Sequence, residues 1–218
     1  ARRLYPRPCH AVTTSPSGTP LRAGRLDLPM VPFNSACLLL LLGAVDDQPL
    51  SETDTETVQR LTGLPDAHFL PELYRLRMPA SPHIAAENDN LTIDVDRLVL
   101  PVTDRSLIVE GAGGVMVPLT SQTLQIDVFV RWQAPVILCA RTGLGTINHS
   151  LLSIEAMKTR SIPIHGVVFL GEPDPNVANA ISQMGDIACL GHLPRLATLN
   201  STTLAEAFKA HFRLQDFQ

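Results

Sequence analysis

Four short apolar runs, separated by stretches with helical spacing, constrain the fold of this chain more than any other feature. They are Ser106–Val109 (SLIV), Ala134–Ala140 (APVILCA), Ile164–Phe169 (IHGVVF) and Ile187–Leu190 (IACL). Runs of this kind lack the polar alternation of a half-solvated strand and suit parallel sheets covered by helices on both faces. The covering helices are legible between them. Ile147, Leu151, Ile154 and Met157 recur at helical spacing in a helix expected from about Ile147 to Arg160. Asn176–Met184 and Leu204–Phe212 read as two more, and Ser51–Leu61 begins with N-cap residues and continues as a short helix. The expectation is an α/β chain. Ligands of such sheets bind beyond the carboxyl ends of the strands, which places function in the loops after Val109, Ala140, Phe169 and Leu190.

A chain of 218 residues suits one α/β domain with a sizeable core. The first 50 residues differ from the rest: arginine and proline are dense, and no helical or strand period persists. Residues 1–50 are therefore set apart as an atypical segment, with the α/β domain expected over 51–218. Within the first segment the Leu38–Leu42 run suits either a buried strand or part of a helix, and periodicity does not decide.

The longest apolar run, Cys37 to Val45, is too short for a bilayer, which needs about 20 residues, and begins late for a signal-peptide core. A net charge of −4 with no basic stripe argues against nucleic acid as a partner. Cys9, Cys37, Cys139 and Cys189 are widely spaced and form no CxxC pair. They read as reduced thiols of a cytoplasmic protein rather than a zinc site.

Glu110–Gly114 (EGAGG) places a carboxylate at a strand end, followed by three glycines within four residues. Such glycines let backbone N–H groups approach a phosphate closely, and the carboxylate suits Mg2+. A plain strand-to-loop turn has the same composition, so these residues alone leave both readings open.

Ile108–Leu119 (IVEGAGGVMVPL) resembles the signature of dethiobiotin synthases. Ala140–Leu151 (ARTGLGTINHSL) and Gly191–Leu196 (GHLPRL) resemble two further signatures, and Thr53–Leu61 (TDTETVQRL) and Ser81–Ile84 (SPHI) match two more in the same order. The resemblance spans roughly three quarters of the chain. It implies a P-loop NTPase-like parallel sheet flanked by helices, in a homodimer. The implied reaction is the closure of a ureido ring on 7,8-diaminopelargonate with CO2: the substrate forms a carbamate, Mg-ATP phosphorylates it, and the second amine displaces phosphate. By the same resemblance Asp54 and Glu110 bind Mg2+, and Glu110, Gly111, Ala112 and Gly113 contact the nucleotide phosphates. Gly145 and Asn148 hold the substrate carboxylate across the dimer interface, and Pro194, Arg195 and Leu196 border the base. His83 and His149 are read as structural, because the implied chemistry needs no histidine.

The chain also departs from the family. The strand and phosphate loop G-x-x-x-x-G-K-[ST], whose lysine reaches the β- and γ-phosphates, have no counterpart. Ser15-Pro-Ser-Gly-Thr19 lacks both lysine and spacing, and the family's second catalytic lysine is missing too. Among fifteen arginines there are two lysines, Lys158 and Lys209, so no lysine precedes Lys158. The strand that ends in asparagine in the family, against adenine, ends here in Phe169-Leu170-Gly171, and leucine cannot pair with a base. Three origins compete: a changed reading frame joined near Ser51, a decaying gene, or a diverged relative that binds without catalysis. Loss of every N-terminal motif beside intact later ones favours the first.

Overall fold

The computed structural model describes residues 53–78, 80–103 and 105–217, together with the backbone of four short strands in the first 50 residues. Those strands are β1 (Val12–Thr14), β2 (Pro20–Arg22), β3 (Ala36–Leu40) and β4 (Leu42–Ala44). The remainder of the Arg/Pro-rich segment lies outside the described residues. Two compact units are distinguished, one including Pro32–Gln133 and the other including Ala134–Gln218.

In the first unit, α1 (Asp54–Thr62) is followed by the short strands β5 (Phe69–Leu70) and β6 (Tyr74–Leu76), then α2 (Pro82–Asn88), β7 (Ser106–Glu110) and α3 (Gln125–Trp132). Strand β3 lies between β5 and β7 and is parallel to both, with Leu38 opposite Phe69 and Leu40 opposite Glu110. Of the leucine run, Leu38–Leu40 thus lie in strand β3 and Leu42 opens β4, which pairs in parallel with β6. Helix α1 starts where its sequence dictates. The Thr53 hydroxyl accepts from the Glu56 N–H at 3.1 Å, and Glu56 Oε2 accepts from the Thr53 N–H at 2.8 Å, a reciprocal capping box. Leu76, Leu98, Leu119, Ile126 and Trp132 of this unit are buried, and Trp132 Nε1 donates to the Leu98 carbonyl at 2.9 Å. His83, at the start of α2, lies 3.1 Å from the Ser81 hydroxyl through Nδ1.

The second unit is a parallel three-stranded sheet in the order β10-β9-β8, formed by β8 (Val136–Arg141), β9 (Ile164–Leu170) and β10 (Cys189–Leu193). Its helices are α4 (Thr146–Thr159), α5 (Pro175–Gly185) and α6 (Ser201–His211). Ala140, Val167 and Phe169 from the sheet pack with Ile154 of α4 and Ile181 of α5. Phe169 is almost fully buried, as expected of a central strand covered by helices. Among the described residues no helix is long and apolar enough to cross a membrane.

Candidate functional site

In the first unit the site begins at the carboxyl end of β7. Glu110 is the last residue of that strand, and Asp54 is the first residue of α1. These carboxylates are far apart in sequence, yet the fold brings them close enough for their charges to interact. The Glu110 carboxyl is held above the ordinary glutamate range, first by partial withdrawal from water and second by the negative charge of Asp54. Both side chains still reach solvent. Two carboxylates that repel one another beside an open loop suit a divalent cation with oxygen ligands. A ready-made cage is not present: among the described residues no group of three or more His, Cys, Asp or Glu could hold a metal ion. Mg2+ usually completes its shell with water and substrate phosphates, so a carboxylate pair is a sufficient protein contribution.

The three glycines after Glu110 are not equivalent. Gly113 has φ +77°, a left-handed conformation that disfavours a side chain. At Gly111 a Cβ would lie 2.5 Å from Gln125 Nε2 and 2.7 Å from Gln125 Cδ, so a side chain there must move the Gln125 carboxamide. Gly114 has open space where a Cβ would be added. Gly114→Ala is therefore expected to change stability by no more than about 0.5 kcal/mol, the range of surface substitutions without a strained or packed site. Gly111→Ala, which must displace a buried amide, is expected to cost about 1–3 kcal/mol, as overpacking does. Thermal melts of the two variants check the contrast, and equal losses would contradict it. Gln125 itself carries no sequence signal. It is a glutamine at a helix start, and only the fold reveals that its side chain is buried.

In the second unit the predicted residues collect where parallel strands end. Arg141, Leu170 and Leu193, the last residues of β8, β9 and β10, stand in register. The Thr142 N–H donates to the Leu170 carbonyl at 3.1 Å, and the Gly171 N–H donates to the Leu193 carbonyl at 3.0 Å, tying the three loop starts together. Gly145 is the N-cap of α4 and contributes no side-chain cap. Asn148, in the first turn of α4, is exposed, as is His149 beside it. The first turn is thus left without the side-chain acceptor that usually satisfies it, an arrangement that favours an anion. Pro194, Arg195 and Leu196 follow β10 directly. Leu196, Ala197 and Thr198, with Glu206, Ala207 and His211 from α6, line an open groove of about 390 Å³. Leu144, before α4, is fully exposed, and Leu152 lies one helical turn beyond Asn148 and is also exposed.

Known proteins extend this picture. The AAA_26 family model, an AAA domain, matches residues 44–203. The ATP-dependent dethiobiotin synthetase BioD of Rhodopseudomonas palustris (strain HaA2) is 55% identical over 166 residues, covering 76% of this chain and 78% of the relative. The protein of the same name from Agrobacterium fabrum is 53% identical over the same shares of each chain. That of Bradyrhizobium diazoefficiens is 52% identical over 189 residues, covering 84% of this chain and 90% of its own length. Identity of this level over most of both chains, with EGAGG at a strand end and TGLGTINH opening a helix, shows that the chain belongs to the dethiobiotin synthetase family.

Proposed function

We propose that this chain is built for the ATP-dependent closure of 7,8-diaminopelargonate with CO2 to dethiobiotin, with release of ADP and phosphate; the relatives' shared name, ATP-dependent dethiobiotin synthetase, supports the ATP dependence and the product. The observation that carries the reading is the convergence of Asp54 and Glu110 at the carboxyl end of β7, beside the glycine loop. Phosphoryl transfer asks a protein mainly for positioning and for neutralisation of charge. Asp54 and Glu110 would hold Mg2+, which supplies positive charge to the transferring phosphoryl group when bound. The backbone of Gly111, Ala112 and Gly113 would hold the phosphates, and Pro194, Arg195 and Leu196 would border the base. Gly145 and Asn148 would hold the substrate carboxylate at the exposed first turn of α4. The substrate amines serve as nucleophiles once deprotonated, so neither His83 nor His149 is given a role. The division between residues 1–50 and 51–218 is kept as a division of motifs: those quoted for the family all lie in the second part.

A second reading rests on a specific observation. No lysine precedes Lys158, so the chain lacks the cation that the family's phosphate loop provides. A protein that binds the family's ligands through Asp54, Glu110 and α4 without turning them over accounts for the same residues. Calorimetric titration with Mg-ATP, beside an assay of dethiobiotin formation, separates the two. Binding with turnover supports the enzyme, binding without turnover supports the second reading, and no binding of Mg-ATP or diaminopelargonate removes both.

The proposal includes a homodimer. Its support is the exposed stripe of Asn148 and Leu152 on α4, with Leu144 before the helix, since a polar residue flanked by exposed leucines suits a surface covered by a second copy. Sedimentation is expected to show a dimer that Leu152→Arg weakens. A chain that remains monomeric at all accessible concentrations overturns this part of the reading. Asn148→Ala is expected to weaken diaminopelargonate binding about tenfold, the effect of losing one hydrogen bond to a charged group.

A further inference from the structure

We infer that Gln125 is a positioning residue, the clamp that gives the Glu110–Gly114 loop the shape in which its backbone N–H groups can meet an anion. This deepens the proposed function and rests on that reading of the loop. Gln125 is the first residue of α3 and is only 5% exposed, although its side chain carries both a donor and an acceptor. A buried carboxamide is retained against a desolvation cost only where it finds partners.

Its partners span the loop. Nε2 donates to the Gly114 carbonyl at 3.4 Å. The same carbonyl accepts from the Val117 N–H at 3.1 Å, and the Val117 carbonyl accepts from the Gln125 N–H at 2.9 Å. Pro118 and Leu124 form an antiparallel bridge just outside these bonds. The Asp127 carboxylate accepts from the Leu124 N–H at 2.9 Å, fixing the start of the helix that carries Gln125. The segment from Gly111 to Val117 is therefore closed onto the first turn of α3 through both the backbone and the side chain of one residue.

The contact with Gly111 gives the clamp its direction. The whole carboxamide lies against that glycine: a Cβ would meet Nε2 at 2.5 Å, Cδ at 2.7 Å and Oε1 at 2.8 Å. Gly111 follows the strand end directly, and Gly114 closes the loop. One rigid planar group thus touches the entry of the loop and bonds its exit, leaving Ala112 and Gly113 as the span between. An anion site made of backbone N–H groups works only if the groups point inward before the ligand arrives. Gln125 supplies that order without touching a ligand.

The test uses the full chain and two readouts. Gln125→Met keeps length and volume but has no donor. It is expected to leave the amide exchange of α5 and β9 unchanged, to raise exchange in residues 111–117 about threefold, and to weaken Mg-ADP binding about threefold, each equal to the loss of a long hydrogen bond of about 0.7 kcal/mol. Unchanged loop exchange in the folded variant overturns the clamp. Faster loop exchange with unchanged Mg-ADP affinity overturns its positioning role. If the parent chain binds no Mg-ADP, the nucleotide reading fails separately, and the exchange result decides the clamp by itself. Should Gln125→Met not fold, the pair Gly111→Ala and Gln125→Ala decides. The stability cost of Gly111→Ala is expected to shrink in the Gln125→Ala background, where the Cβ has room. An equal cost in both backgrounds overturns the contact.

Discussion

Given 7,8-diaminopelargonate, bicarbonate and Mg-ATP, a polypeptide of this sequence is expected to form dethiobiotin at least about a hundredfold more slowly than a family member with a complete phosphate loop, the cost of losing one preorganised donor at a developing charge. The argument is electrostatic. In phosphoryl transfer the protein does little covalent work, and its cations and oriented N–H groups neutralise the transferring group. The sequence has no lysine before Lys158, so a polypeptide of this sequence is without the two lysines that the family resemblance implies. The abundant arginines are no substitute, because a planar, delocalised guanidinium does not reproduce a compact ammonium aimed at two phosphates. Asp54 and Glu110 remain, but carboxylates add no positive charge beside the transferring group. The assay is ATP-dependent product formation, and a rate near that of an ordinary relative refutes the prediction. The converse experiment is equally direct. Replacing residues 1–50 with a family N-terminus that carries G-x-x-x-x-G-K-[ST] is expected to restore turnover. Failure of that chimera, if it folds, places a defect in the remainder of the chain.

The parts of the fold that were legible are those where one physical rule dominates. The strands β7 to β10 announce themselves as apolar runs, and α4 shows its period through Ile147, Leu151, Ile154 and Met157. Boundaries moved where a local bond competes. Strand β8 begins at Val136 rather than Ala134, because Pro135 has no N–H to give the ladder. Strand β10 begins at Cys189 rather than Ile187, whose N–H is used to close the end of α5 on the Ser182 carbonyl. Helix α3 is illegible for a different reason. In QIDVFVRW the residues Ile126, Val128 and Val130 alternate as in a strand, are largely β-branched, and follow Leu124, which cannot cap a helix. Packing of Ile126, Val128 and Trp132 into the core overrides the local preference. The run of leucines from 38 to 42 has no period at all, and pairing with β5 and β7 selects the strand for Leu38–Leu40.

The candidate site divides along the same line. EGAGG at the end of a strand was visible as a pattern, but its chemistry was not, because glycine-rich turns serve many ends. The motif resemblance pointed to Asp54, which by itself is an ordinary acidic residue in the first turn of a helix. Only the fold shows that its charge reaches Glu110. Gln125 lay outside every motif, since burial of one amide against one glycine leaves no trace in spacing or composition.

Glu110→Gln is expected to have opposite effects on the bare and the liganded protein. In the folded chain the Glu110 carboxyl is held above its ordinary range, by desolvation first and by Asp54 second. The unfolded chain therefore releases this proton at lower pH than the folded one. Between the two values the native state binds more protons, so stability falls as pH rises. The favourable contribution is complete below the ordinary glutamate value and is lost as pH climbs through the raised one. Glutamine cannot ionise, so the variant is expected to lose this segment of the pH profile and, in metal-free buffer at pH 7, to melt no lower than the parent. Asp54→Asn is expected to flatten the same segment only in part, because desolvation, the larger cause, remains. With Mg-nucleotide the order reverses. A ligand at a hundred times its Kd stabilises the parent by about 2.7 kcal/mol, and the variant, with one carboxylate of the pair gone, is expected to gain little of this. Thermal melts across the acid range, with and without Mg-ADP, measure both effects on one preparation. A parent and a variant that respond equally to Mg-ADP would make Glu110 a strand-end residue with no part in the metal site. A variant that melts well below the parent in metal-free buffer at pH 7 would mean that the carboxylate stabilises the fold, contrary to the strained pair described here.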